Sequence, residues 1–214
     1  MATEPTATAR TAGVSVRAIL ALATVALAVF ALDQITKYFV VENLPLGEPV
    51  PVLGNVLDFV FVKNPGAAFS FASGATWIFS IAASVVTVCI VFFARKIRSL
   101  TWAILFGMLL GGTLGNLADR LLREPSFGLG HVIDFIRVAG FPAVFNIADS
   151  FIVASMGLFI ILTIRGVGLD GQREQRPAAA ASAPATSGPT TSGPTTSGPA
   201  DTAPADPTPD ATER

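Results

Sequence analysis

Two aspartates in the second half of the chain combine a residue type with a setting that could do chemistry. Asp134 lies in "HVIDFI", and Asp149 lies in "FNIADS" at the head of the apolar run "FIVASMGLFIILTI". A carboxylate at the edge of hydrocarbon costs roughly 2.5 to 3.5 kcal/mol on insertion scales, so one that is kept there is a functional hypothesis by default. Two carboxyl groups brought close in a low dielectric cannot both ionise readily. One holds a proton while the other is a base, and the pair can activate water and polarise a carbonyl. The two stand fifteen residues apart, so no single helix presents them together and "FIRVAGFPAVFNIA" must fold back between them. Gly140 and Pro142 supply a break, with Pro142 near a helix start. On composition alone, Asp134 reads first as an ordinary loop aspartate.

The remaining polar residues at membrane depth fall toward the same side. They are Asp33 and Lys37 at the end of the first apolar block, Asn64 in the segment after it, Asn116, Asp119 and Arg120 at the end of the third block, and Asn146 beside Asp149. Random scatter would divide them between the two leaflets, so their segregation is itself a signal. Asp33 and Lys37, at i and i+4, read first as a local ion pair on one helix face. Asp119 and Arg120 are adjacent and point in different directions. Arg120 is suited to a carbonyl or a lipid phosphate, and Asp119 to a neighbouring cation or a backbone cap. His131 has no second His or Cys at ligand spacing, and no metal, nucleotide or phosphate-loop motif is present. Cys89, alone in an apolar block, reads as an inert core thiol without a disulfide.

The elements that must position these residues follow from composition. Hydrophobic residues make up 51% of the chain and come in long blocks rather than at amphipathic spacing, which is a membrane composition. Blocks at 16–32, 75–94, 100–114 and 143–164 each approach the ~20 residues that a ~30 Å hydrocarbon core requires. Glycines 107, 111, 112 and 115 dilute the third, though they also suit close helix packing. Net charge is near zero, so bulk electrostatics points to no nucleic acid or acidic partner. The basic residues flanking the blocks (Arg10, Arg17, Arg95, Lys96, Arg98, Arg165, Arg173, Arg176) place both termini and the second link in the cytoplasm. Lys63, Arg120, Arg123 and Arg137 then lie outside, against the bias, which suggests specific jobs. The first block has a basic lead but no convincing cleavage pattern, so it reads as a retained helix.

Of the two outer segments, 42–74 contains the strand-like "NVLDFVFVKN" and reads as a small sheet on the membrane, and 119–142 carries His131 and Asp134. "SFASGATW" has small residues that would permit lid-like motion. The expected organisation is a flexible lead over 1–15, a four-helix transmembrane domain over 16–168, and a Pro/Thr/Ser/Ala-rich tail over 169–214. With "TSGP" repeated three times, that tail lacks the apolar residues to order itself.

With these positions in place, "DQITK" (33–37), "NPGAAFS" (64–70), "GGTLGNLADR" (111–120), "HVIDFI" (131–136) and "FNIADS" (145–150) resemble, in order and in placement, the motifs of bacterial lipoprotein signal peptidase, signal peptidase II. The resemblance covers 32–164. It implies an all-α membrane protein of four transmembrane helices with a small extracytoplasmic β-cradle, seated in the bacterial cytoplasmic membrane with its active site near the outer leaflet. It further implies a monomeric intramembrane aspartic endopeptidase, without cofactor or metal, that acts with membrane lipid around it. Its substrates would be diacylglyceryl-modified prolipoproteins, cleaved just before the lipid-modified cysteine. By motif, Asp134 and Asp149 would be the catalytic pair. Asn64, Asn116, Arg120 and Asn146 would line the substrate pocket, which the cyclic peptide inhibitor globomycin also occupies. Asp33, Lys37 and Asp119 would support the fold. The segment "LLREPSFGLG" between Arg120 and His131 is a little longer than the family pattern, and the resemblance assigns no meaning to the tail.

Two rivals remain. A proton-coupled carrier would need polar residues through both leaflets, whereas the inner halves of the second and fourth blocks are almost bare of charge. A membrane scaffold would tolerate Asp149→Asn with little loss.

Overall fold

The computed structural model describes residues 14–66 and 76–173, all within one compact unit that ends at Gln175. The lead before residue 14, most of the "SFASGATW" segment and the tail beyond residue 173 lie outside the described residues. Four helices are long and apolar enough to cross a membrane: α1 (Val16–Asn43), α2 (Thr76–Phe93), α3 (Leu100–Leu122) and α4 (Ile147–Ile164). A 3₁₀ turn, Ala94–Lys96, extends α2. The first and third helices outrun their apolar blocks. At 1.5 Å per residue the 28 residues of α1 extend about 40 Å, longer than a ~30 Å core requires, and Asp33 and Lys37 lie in the second half of that length.

The glycines that dilute the third block do not break α3; they make it the central helix, packed against α1, α2 and α4. A Cβ on Gly107 would lie 2.8 Å from the Leu22 carbonyl oxygen, and one on Gly111 2.5 Å from that of Ala26. Gly112 meets α4 in the same way, at 2.6 Å from the Ala148 oxygen. Backbone-to-backbone approach of this kind is what small residues permit between spans. Ala18, Leu22, Ala26, Ala103, Leu105 and Leu110 fill the apolar seam around these contacts.

The segments that link α1 to α2 and α3 to α4 form one antiparallel sheet in the order β1 (Pro49–Leu53), β2 (Leu57–Asn64), β3 (Val132–Val138), β4 (Val144–Phe145). The strand expected at "NVLDFVFVKN" is β2. The segment "HVIDFI" is a strand as well, pairing Val62 with Asp134 and Asn64 with Val132. Alternation along β3 sends Ile133 and Phe135 against Phe61 and the Val40 end of α1, and Asp134 to the opposite face.

Three expectations need correction. The chain between the two aspartates folds back as the β3–β4 hairpin, with Gly140 at φ +79° in its turn, and Pro142 lies in that turn rather than at a helix start. The fourth span begins at Ile147, not at residue 143, because Val144 and Phe145 pair with β3. Cys89 is exposed on α2 rather than a core thiol, since α2 buries only a narrow stripe against its neighbours.

Candidate active site

Asp134 reaches the site from β3, and Asp149 from the first turn of α4. The two are joined by Asn146, which is fully buried and caps α4. Asn146 Oδ1 accepts from the Asp149 amide at 2.9 Å, and Asp149 Oδ2 accepts from the Asn146 amide at 3.2 Å, a reciprocal capping box. Asp149 thus stands in the first turn of α4, at the positive end of the helix, where an anion is favoured.

The Asn146 side chain also reaches outward. Its Nδ2 donates to Asp134 Oδ1 at 2.7 Å and to Asn116 Oδ1 at 3.0 Å. Asp134 Oδ2 accepts from Asn64 Nδ2 at 2.7 Å, and the Asn64 amide is oriented by its own Oδ1, which accepts from the Gly66 amide at 2.8 Å. Asn116 Nδ2 donates to Asp149 Oδ1 at 2.8 Å. Three asparagines thus bracket the two carboxyl groups. Asp134 is only 2% exposed, and burial pushes its carboxyl up to about 6; the charge of Asp149 adds to the rise, against the opposing hydrogen bonds from Asn64 and Asn146.

Arg120 stands beside this group on α3. Its Nη1 donates to the Asn116 carbonyl at 3.3 Å, its guanidinium lies 5.6 Å from the centre of the Phe79 ring, and its buried Nε has no partner among the described residues. A cation held over an aromatic face with a spare donor is suited to an incoming carbonyl.

Beneath lies a second cluster. Lys37 and Asp33 are fully buried and Asp119 nearly so, with Lys37 Nζ 2.8 Å from Asp33 Oδ2 and 2.8 Å from Asp119 Oδ2. The i,i+4 pair read from the sequence is therefore half of a larger arrangement that ties α1 to α3. Asp33 Oδ1 also accepts from the Ala148 amide at 2.9 Å, and Asp119 Oδ2 from the Ile133 amide at 3.2 Å, which fastens α4 and β3 to the same point.

Arg123, whose role was open, donates through Nε to Asp119 at 2.6 Å and so neutralises the second acid. Gln34 was missed within "DQITK", although its amide bridges Asp33, the Gly115 carbonyl and Asp119 at 3.1, 3.1 and 3.4 Å. The capping box was also missed, although Asn146 followed three residues later by Asp149 at the head of an apolar run is its signature. His131 stands at the mouth of a separate surface cleft with Lys63 and Glu124. Among the described residues, no group of three or more His, Cys, Asp or Glu side chains could hold a metal ion.

A family model described as "Signal peptidase (SPase) II" matches residues 25–165. The chain is 57% identical over 169 residues to "Lipoprotein signal peptidase" of Leifsonia xyli subsp. xyli, covering 79% of this chain and 78% of that one. It is 41% identical over 177 residues to "Lipoprotein signal peptidase" of Mycobacterium avium, covering 82% and 97%. A solved structure described as "Bacterial membrane enzyme structure by the in meso method at 1.9 A resolution" is 30% identical and covers 72% of this chain and 97% of its own, with a TM-score of 0.62.

Proposed function

Because the chain belongs to the signal peptidase II family, the lipoprotein signal peptidases, we propose that it is an aspartic endopeptidase of the bacterial cell membrane with Asp134 and Asp149 as its acid–base pair. The family's activity, removal of signal peptides from prolipoproteins, is the reaction to be explained. In the reading proposed, one aspartate takes a proton from a water as it attacks the scissile carbonyl. The other donates to the developing oxyanion and then to the leaving nitrogen. The bond broken is the one before a diacylglyceryl-modified cysteine, whose acyl chains keep it in the outer leaflet.

The observation that carries this reading is the shared Asn146. It holds a carboxyl from a strand and a carboxyl from a helix end in one hydrogen-bonded group, and one of them, Asp134, retains a proton up to about pH 6. Asn64, Asn116 and Arg120 surround that group with donors that can orient a peptide backbone and stabilise charge developing on the carbonyl oxygen. Globomycin would compete for the same donors. Basic residues at the inner helix ends support an orientation with both termini cytoplasmic and the sheet outside.

The test is cleavage of a diacylglyceryl-modified prolipoprotein by purified protein in detergent. Asp134→Asn and Asp149→Asn each reduce turnover by at least about 10³-fold while the protein remains folded and globomycin blocks the parent. Near-normal turnover in either variant removes that residue from the pair.

A further inference from the structure

We propose that Lys37 is a positioning residue for this chemistry, acting through Asn116. The inference rests on the reading of Asp134 and Asp149 as the acid–base pair, and adds to it a residue that reaches neither of them. Lys37 has three ammonium hydrogens and three acceptors. Two are the carboxylates of Asp33 and Asp119, and the third, at 3.0 Å, is Asn116 Oδ1.

That third contact fixes which way the Asn116 amide points. Asn116 Oδ1 faces two donors, Lys37 Nζ and Asn146 Nδ2, each at 3.0 Å, while Asn116 Nδ2 faces Asp149 Oδ1 at 2.8 Å. Turning the amide over would set its NH₂ against an ammonium and another amide NH₂, and its oxygen against a carboxylate oxygen. All three contacts would become donor-to-donor or acceptor-to-acceptor. Asn146 cannot relax to accommodate the turn, because its Oδ1 is committed to the Asp149 amide at 2.9 Å.

The orientation of Asn116 therefore has one solution, and the buried charge of Lys37 is its strongest determinant. Its consequence is at Asp149, which receives a donor on each oxygen, Asn116 Nδ2 on one and the Asn146 amide on the other. Its carboxylate is held in a single rotamer relative to Asp134. Lys37 itself is fully buried and out of reach of substrate.

The experiment compares kcat and KM in a cycle of three variants. Lys37→Met alone would leave Asp33 and Asp119 with only Arg123 for a counter-charge, so the first variant is the charge-balanced pair Asp33→Asn/Lys37→Met. The second is Asn116→Ala, and the third combines all three substitutions. If Lys37 works through Asn116, the charge-balanced pair loses about 10- to 100-fold in kcat with KM within threefold of the parent. In the Asn116→Ala background the same pair then costs less than twofold more, because the amide it orients is gone.

Parental kcat in a folded charge-balanced pair, or losses that multiply across the cycle, overturns the proposal. Where the methionine pair does not fold, Asp33→Asn/Lys37→Leu, which likewise offers Asn116 no donor, takes its place in the same cycle under the same two criteria. The underlying reading fails separately, through retained turnover in Asp149→Asn, which the cycle does not include.

Discussion

At the scale of single residues, Asn146 does the most. It ends the extended chain, caps α4, and donates to both Asp134 and Asn116. Structural and functional roles can be separated, because a serine retains the cap but cannot span the gap to Asp134. Asn146→Ser is expected to keep the roughly 1 kcal/mol of cap stability that alanine forfeits and to lose at least tenfold in prolipoprotein cleavage. Asn146→Ala loses the activity and about 1 kcal/mol of stability as well. Comparable activity in the serine variant and the parent would confine Asn146 to its capping role. Asp134 supplies a pH signature. Its carboxyl is raised from 3.8 to about 6 chiefly by burial, so between those values the folded protein holds a proton that the unfolded chain has released. Stability from this group is greatest below pH 4 and falls as pH rises through about 6, by a total on the order of 3 kcal/mol. Asp134→Asn removes the titration. The Tm of the variant minus that of the parent is therefore expected to be larger at pH 7.5 than at pH 4, and a difference independent of pH would contradict the buried, protonated carboxyl.

Among the elements, α3 decides whether the polar clusters can form. Its glycines let α1 and α4 approach until Asp33 can reach the Ala148 amide and Lys37 can reach Asn116. The Gly111 position faces backbone, which cannot swing aside as a side-chain tip can. Gly111→Val is expected to destabilise by about 1–3 kcal/mol and to reduce cleavage by spreading the Lys37 cluster. Gly157 on α4 has nothing within 4 Å of a built Cβ, so Gly157→Ala is neutral or stabilising by up to about 1 kcal/mol. Equal melting shifts for the two would show that helix propensity, not close approach, sets the tolerance of these spans. The β3–β4 hairpin is the second decisive element. It returns the chain from Asp134 to Asp149 in the tight turn that Gly140 permits, which is why the fifteen-residue separation is no obstacle.

For the molecule as a whole, the prediction concerns orientation. In a Cys89→Ser background, Asn55→Cys in the β1–β2 turn is expected to react with a membrane-impermeant thiol reagent added to intact spheroplasts. Lys96→Cys at the inner end of α2 is expected to react only after the membrane is permeabilised. The reverse pattern would invert the proposed topology and with it the leaflet of the site. Much of this protein follows from local properties of its sequence. Block hydrophobicity marks the four apolar helices, β-branched and aromatic residues mark β2, and the spacing of Asp33 and Lys37 gives their ion pair, because each depends on residues near one another in the chain. The motifs in order likewise point to the family. What required the tertiary structure is every contact that joins distant segments. "HVIDFI" becomes a strand because β2 is there to pair with it, Val144 and Phe145 leave the fourth span for the same sheet, and Cys89 faces outward because α2 has few neighbours. Lys37 meets Asn116 across 79 residues and Asn64 meets Asp134 across 70. Hydrogen bonds and close packing between such partners are set by how the helices dock, which no local periodicity encodes.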